Sequence, residues 1–224
     1  MKQTPYAEAI PLGSVQYSDS ADPRCPCVLV LDRSGSMSGA PIEQLNVGLQ
    51  KLRFELLKDE LAARRVEIAV IPFGPVVRQS SFQSAKDFRP ETLRAGGDTP
   101  TGAAIEYAID LIELQKRTYK RNNVRYYRPW IIILTDGQPT DDWLHAARRI
   151  HEGEAAREFS FFAVGVRGAD MDLLRRLSVR EPLRLQGLAF SEFFVWLSSS
   201  LANVSNSPVG EAVALPLPSA WSSD

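Results

Sequence analysis

Asp32, Ser34 and Ser36 form a D-x-S-x-S string directly after the apolar run Val28-Leu29-Val30-Leu31. The run reads as a fully buried strand. A strand that ends in one carboxylate and two hydroxyls, ahead of a helix, places hard oxygen ligands at the carboxyl edge of a sheet, where open α/β folds bind ligands. These residue types suit a hard cation such as Mg²⁺ rather than Zn²⁺ or a redox metal. Two further strings fall at equivalent places. Gly96-Gly97-Asp98-Thr99-Pro100-Thr101-Gly102 immediately precedes a helical pattern, and Thr135-Asp136-Gly137 follows the apolar run Trp130–Leu134. The glycine pair permits a tight backbone path that turns the Thr99 hydroxyl back over the sheet edge. In a parallel sheet all three loops emerge at one edge, so Asp32, Ser34, Ser36, Thr99 and Asp136 can converge on one point. That set makes an octahedral oxygen site of two acids and three hydroxyls, with room for water. Each string alone has a plainer use, the serines and threonines as turn or cap residues and Asp136-Gly137 as a turn. Their occurrence in order, each at a strand-to-helix junction, singles them out.

The elements that must hold these loops alternate strand with helix. Strands are expected at Cys27–Asp32, Val66–Phe73, Trp130–Leu134 and Phe159–Val166, with short edge strands at Val76–Phe82 (antiparallel) and Leu183–Leu185. A helix starts near Pro41, where Ile42, Leu45, Leu49, Leu52 and Leu56 make one apolar stripe. Further helices are expected at Thr101–Thr118, Asp141–Glu158, Asp170–Leu177 and Ser191–Val204. The fold class is therefore α/β: a doubly wound, mostly parallel central sheet with one antiparallel edge strand and helices on both faces. Residues 1–23 read as an N-terminal extension, 24–204 as the domain, and 205–224 as a flexible tail rich in Ser, Pro and Ala.

A 224-residue chain with 44% hydrophobic and 24% charged residues has the composition of an ordinary globular protein. Its net charge of −1 gives no general attraction to nucleic acid or anionic membrane. No apolar run approaches the ~18–20 residues of a membrane span. Met1–Tyr17 lacks the apolar core of a signal peptide, so the expected location is cytoplasmic. Cys25 and Cys27, one residue apart, are too close to favour a disulfide and too few for a zinc site.

Other chemistries fit less well. A strand-end Asp could be the nucleophile of a metal-dependent phosphatase or hydrolase. Such a site usually needs a second acid two residues on and a nearby lysine; position 34 is Ser, and the three loops contain no Lys. No G-x-x-x-x-G-K-[ST] loop is present, and His145 and His151 sit apart on a helix that reads as solvent-facing. Lys116, Arg117, Lys120, Arg121, Arg125 and Arg128 form an acid-free basic stretch interleaved with Tyr119, Tyr126 and Tyr127. It reads first as a solvated helix end, then as a dock for an acidic protein, and last as a nucleic-acid surface.

The three strings together resemble a von Willebrand factor A domain, whose metal-ion-dependent adhesion site would here be Asp32, Ser34, Ser36, Thr99 and Asp136. The resemblance runs from about Pro26 to Val204. Arg24-Cys25-Pro26-Cys27, the Leu134–Trp143 segment and Phe193–Ser198 are similar to the bacterial TerY-type branch, associated with tellurium resistance and stress operons. It implies direct contacts to Mg²⁺ (or Mn²⁺ or Ca²⁺) from Ser34, Ser36 and Thr99, with Asp32 and Asp136 acting mostly through water. The remaining position would take a partner's Asp or Glu carboxylate, with Arg33, Met37, Gln138 and Asp141 as candidate partner contacts. Neutral hydroxyls leave much of a divalent charge uncompensated, which agrees with that role. Asp98 departs from simpler versions of its loop and would either tighten the cation or compete with the incoming ligand. The branch further implies a scaffold or regulator beside a Ser/Thr kinase or a PP2C-type phosphatase of the same operon.

Overall fold

The computed structural model describes residues 22–75, 77, 80–166, 168–187 and 189–215. Among these described residues six strands form one sheet in the order β3-β2-β1-β4-β5-β6. They are β1 (Cys25–Asp32), β2 (Val66–Phe73), β3 (Gln83–Ser84), β4 (Trp130–Thr135), β5 (Ser160–Gly165) and β6 (Leu183–Arg184). The helices are α1 (Ala40–Leu56), α2 (Glu60–Arg65), α3 (Thr101–Arg121), α4 (Leu144–Ala155), α5 (Met171–Leu177) and α6 (Phe190–Asn206), with a 3-10 turn at Gly35–Met37. All pairings are parallel except β2 with β3. This is the expected doubly wound class with one antiparallel edge strand.

The period-2 alternation of β1 explains the two-layered core. Cys25, Cys27, Leu29 and Leu31 point to one face, where α1 and α6 pack, while Val28 and Val30 point to the other, under α3 and α4. Every residue of β1 is buried, because strands flank it on both sides and helices cover both faces. Each such Leu or Val contributes about 1.5–3 kcal/mol by leaving water. Both cysteines lie wholly in this core as free thiols, and burial beside Glu67 pushes the Cys25 thiol up to about 12.

Several boundaries differ from expectation for local reasons. The edge strand forms at Gln83–Ser84, not Val76–Phe82, and residues 76, 78 and 79 lie outside the described part. Asp141–Trp143 do not open α4; the helix begins at Leu144, whose N–H donates to Asp142 Oδ1 at 2.9 Å, and it ends at Ala155 rather than Glu158. The short α2 was not expected. Asp59 starts it, accepting the Ala62 backbone N–H at 2.8 Å. The expected extension 1–23 falls almost wholly outside the described residues, while the expected tail begins inside α6, which runs to Asn206.

The chain order also fixes where a site forms. From β1 the chain goes through α1 to β2 on one side, whereas β4 on the other side of β1 continues through α4 to β5. The connections diverge at the carboxyl ends of β1 and β4, leaving a crevice there. At the opposite edge, Glu67 is fully buried and accepts hydrogen bonds from the Tyr119 hydroxyl and from Gln115 Nε2 at 3.0 Å, with Arg24 Nε 3.7 Å away.

One packing constraint is directly testable. A Cβ on Gly48 of α1 would collide with the buried Phe194 ring of α6 and sit 3.3 Å from Phe190 Cβ. Alanine gains about 1 kcal/mol of helix propensity over glycine, but overpacking costs roughly 1–3 kcal/mol. Gly48→Ala should therefore lower stability in urea denaturation, and Gly48→Val should lower it further.

Candidate metal centre

Asp32 closes β1 with its side chain fully buried. A carboxylate there must have both oxygens satisfied. Oδ1 accepts the Ser34 backbone N–H at 2.8 Å, and Oδ2 accepts the Thr135 hydroxyl at 2.6 Å. The first bond bends the chain out of the sheet, so that Ser34 is buried while Ser36, two residues on, is exposed. The two serine hydroxyls lie 3.0 Å apart, and Ser36 Oγ donates to Asp136 Oδ1 at 2.7 Å. Ser34, Ser36 and Asp136 thus form one polar chain across loops a hundred residues apart in sequence.

Thr99 completes the convergence. A Cβ built on Gly137 would lie 3.4 Å from Thr99 Oγ1 and 3.8 Å from Ser36 Oγ. The absence of a side chain at 137 keeps the space between these hydroxyls open. All five expected ligands are therefore brought to one edge of the sheet, at the β1/β4 crevice.

The loops are held to each other by backbone. Gly35 N–H donates to Gly97 C=O at 3.0 Å, Gly96 N–H to Arg33 C=O at 2.7 Å, and Arg33 N–H to Phe73 C=O at 2.8 Å. Gly97 has φ +79°, and a Cβ there would meet Pro75 at 2.6 Å, so this turn requires glycine. On the other side, Thr99 and Thr140 exchange two bonds: Thr99 N–H to Thr140 Oγ1 at 3.1 Å, and Thr140 N–H to Thr99 C=O at 2.9 Å.

The electrostatics point to a cation. Among the described residues no Lys, Arg or His lies within ion-pairing distance of Asp32 or Asp136, so two carboxylates share a pocket with hydroxyls alone. Burial, together with the nearby Asp32 charge, raises the Asp136 carboxyl above its ordinary range, against the lowering effect of the Ser36 hydrogen bond. A divalent ion would relieve both causes. The donor set of two carboxylates and three hydroxyls fits a hard oxygen-seeking ion. No group of three acidic, histidine or cysteine side chains suited to a metal occurs among the described residues, so any such site here has to use the hydroxyls.

The candidate partner contacts divide. Gln138 is exposed and bonds Asp170 Oδ2 at 3.2 Å. Arg33 is half-buried and donates to Arg94 C=O at 3.2 Å. Met37 is fully buried in the core under the 3-10 turn, so it supports the loop and offers no contact surface. Asp141 also differs from expectation. Its carboxylate accepts Gly102 N–H at 3.0 Å and Ala103 N–H at 2.8 Å, capping α3 from a different loop because Pro100 has no side-chain cap to give. Asp98 is exposed beside Thr99.

The basic stretch does not form an aromatic stacking surface. Tyr119 and Tyr127 are buried, Tyr126 stacks on Tyr119 at 5.1 Å, Lys116 pairs with Glu158 at 3.4 Å, and Arg128 pairs with Glu154 at 2.7 Å. Sequence reasoning missed Thr135 as the clamp on Asp32 and the Thr140–Asp141 clasp on the Thr99 loop. Thr135 stood inside the quoted string; the clasp had no local signal, because its partners are about forty residues away.

Two outcomes follow from this geometry. Asp141→Ala removes two charge-assisted bonds from the start of α3 and should cost about 1–2 kcal/mol in urea unfolding. It should also weaken divalent-cation binding measured by calorimetry, since the first turn of α3, directly after Thr99, is no longer held to the Thr140 segment by that carboxylate. Asp136→Asn should act in opposite directions on stability and binding. The raised Asp136 carboxyl makes its contribution most favourable below the ordinary carboxylate range, and that contribution is lost as pH rises through the raised value. Removing the charge should therefore raise the urea midpoint of the cation-free protein at neutral pH while abolishing cation binding.

Residues 27–191 match the model of the von Willebrand factor type A domain. The structure is similar to the pilus adhesin SpaC from Lactobacillus rhamnosus GG, with TM-score 0.66 and 13% identity over 82% of this chain and 30% of that one. It is also similar to the vWF domain of the type V pili tip protein Mfa5 from Porphyromonas gingivalis, with TM-score 0.64 and 11% identity over 87% and 99% of the two chains. In sequence it is 22% identical over 160 residues to the human (Homo sapiens) collagen alpha-6(VI) chain, spanning 68% of this chain but only 7% of that protein. At these identities the structural likeness establishes the fold alone. The family model covers most of the chain, and the chain belongs to the von Willebrand factor type A domain family.

Proposed function

We propose that this chain is a metal-dependent protein–protein interaction module whose site binds an acidic residue of a partner. The observation that carries this reading is the pairing of Asp32 and Asp136 at one crevice with three hydroxyls and no countercharge among the described residues. Such a pocket repels anions until a cation is present. Mg²⁺ fits best, with Mn²⁺ or Ca²⁺ as substitutes, and it would be held by Ser34, Ser36 and Thr99, with Asp32 and Asp136 supporting it largely through water. When bound, the ion supplies an electrophilic position for a carboxylate, because hydroxyl donors neutralise little of its charge.

The chain's own residues set the rest. Thr135 and the Ser34 N–H fix Asp32, the Thr140–Asp141 clasp sets the height of Thr99, and Gly137 leaves the approach clear. Arg33 and Gln138 lie at the rim, where they would meet the partner, and exposed Asp98 would modulate the charge there.

The burial of Asp32, with both oxygens engaged, opposes its use as a phosphatase nucleophile, which has to face its substrate. The reading is therefore of a binding module rather than an enzyme. The Arg24–Cys27, Leu134–Trp143 and Phe193–Ser198 segments support placing it in a TerY-type bacterial stress system, as a cytoplasmic scaffold beside a Ser/Thr kinase or PP2C-type phosphatase. No helix among the described residues is long and apolar enough to cross a membrane.

The test uses Mg²⁺ and a carboxylate probe. Addition of Mg²⁺ at a hundred times its Kd should stabilise the protein by about 2.7 kcal/mol, read as a rise in Tm that EDTA reverses. Asp32→Ala should remove that rise, and either Asp32→Ala or EDTA should abolish capture of an acidic partner while circular dichroism stays native. Capture that survives both treatments overturns the reading.

A further inference from the structure

The exposed face of α3 carries a charge order that the metal site does not use. Glu106, Asp110, Glu113, Arg117, Lys120 and Arg121 all lie within a stripe about 100° wide on a helix that turns ~100° per residue. Ala104, Ala108, Leu111 and Gln115 on the opposite side are buried against the sheet. Along the stripe the first half is acidic and the second half basic.

The acidic half is held in place. Arg149 of α4 reaches all three carboxylates, pairing with Glu106, with Asp110 Oδ1 at 2.8 Å and with Glu113 Oε1 at 3.2 Å. Three acids against one arginine leave a net −2, and the Asp110 and Glu113 side chains remain 50% and 45% exposed. In the basic half, Arg117, Lys120 and Arg121 are exposed and have no carboxylate within ion-pairing distance among the described residues. Lys116, one position off the stripe, is the lysine that Glu158 takes. The helix dipole favours this order of charges, but its influence is confined to the terminal turns, whereas the stripe spans about 22 Å between Glu106 and Arg121.

A stripe that is negative in one half and positive in the other is complementary to itself under a two-fold axis. We propose that α3 pairs antiparallel with α3 of a second copy of this chain. An axis near Leu114 sets Asp110 of each copy against Arg117 of the other and Glu106 against Arg121. The fixed acidic array reduces the ordering cost on one side of each pair. A contact between two helix faces of this length falls below the roughly 1,000 Å² of a stable interface, so the dimer is weak, reversible and salt-labile. Its geometry has a functional edge: the two carboxylate–hydroxyl crevices, at the N-terminal ends of the paired helices, face opposite directions. The dimer presents two binding ends without depending on whether they hold a cation.

The test is sedimentation velocity on the full chain at about 20 mM and about 500 mM NaCl, a range over which the Debye length falls severalfold. The expected result is a concentration-dependent monomer–dimer equilibrium at low salt and monomer at high salt. Arg117→Glu breaks no ion pair or side-chain hydrogen bond among the described residues and should weaken the dimer at least tenfold. Asp110→Lys should do the same, and the double variant Asp110→Lys/Arg117→Glu, which restores opposite charges across the axis, should recover dimerisation. Circular dichroism of each variant establishes that it is folded. A chain that stays monomeric at every concentration in low salt overturns the proposal, as does a dimer that both single variants leave unchanged.

Discussion

Two carboxylates at the ends of neighbouring strands, joined by hydroxyls and facing no cationic side chain among the described residues, are the constraint around which this domain is arranged. A buried acid is tolerated only when every lone pair finds a donor. Asp32 meets that requirement with a backbone N–H on one oxygen and the Thr135 hydroxyl on the other. Asp136 has the Ser36 hydroxyl and partial solvent access, and its carboxyl is raised first by burial and then by the nearby Asp32 charge. The arrangement leaves these carboxylates without a countercharge among the described residues, which is what the proposed cation would supply.

The sheet order turns that local demand into a place. The connections from β1 and β4 lead to strands on opposite sides of the pair, which leaves a crevice at their carboxyl ends. The strand-end loops then interlock through their backbones: Gly35 with Gly97, Arg33 with Gly96, Thr99 with Thr140. Side chains at such a site stand on loops fixed by main-chain bonds, and the serine hydroxyls are held in turn by one another and by Asp136.

Much of this was legible in the sequence, and the exceptions share a cause. Val66–Phe73 is apolar except for Glu67 and appears with those boundaries; β1 and β4 extend their expected spans by one or two residues. The five ligand candidates were readable because each lies in a short string at a strand-to-helix junction. The interactions that position them were not, since Thr135 with Asp32 and Asp141 with Gly102 are pairings across distant sequence. Asp141 looked like a rim residue and is a helix cap; Met37 looked like a contact and is core. The tyrosines of the basic stretch, for which a stacking surface was the last of three readings, pack instead: Tyr119 is turned inward by Glu67, a buried acid whose need for a donor no periodicity reveals.

The two tethers on α3 have a mechanical meaning. At its first turn the helix is fastened by the Asp141 carboxylate, and in its last turn by the Tyr119 hydroxyl on Glu67, which itself belongs to β2. A helix pinned at both ends cannot slide along its axis without breaking a charge-assisted bond at one of them. Tension applied at the crevice edge would therefore run lengthwise down α3 and enter the sheet at its opposite edge, making this helix a tie-rod across the domain.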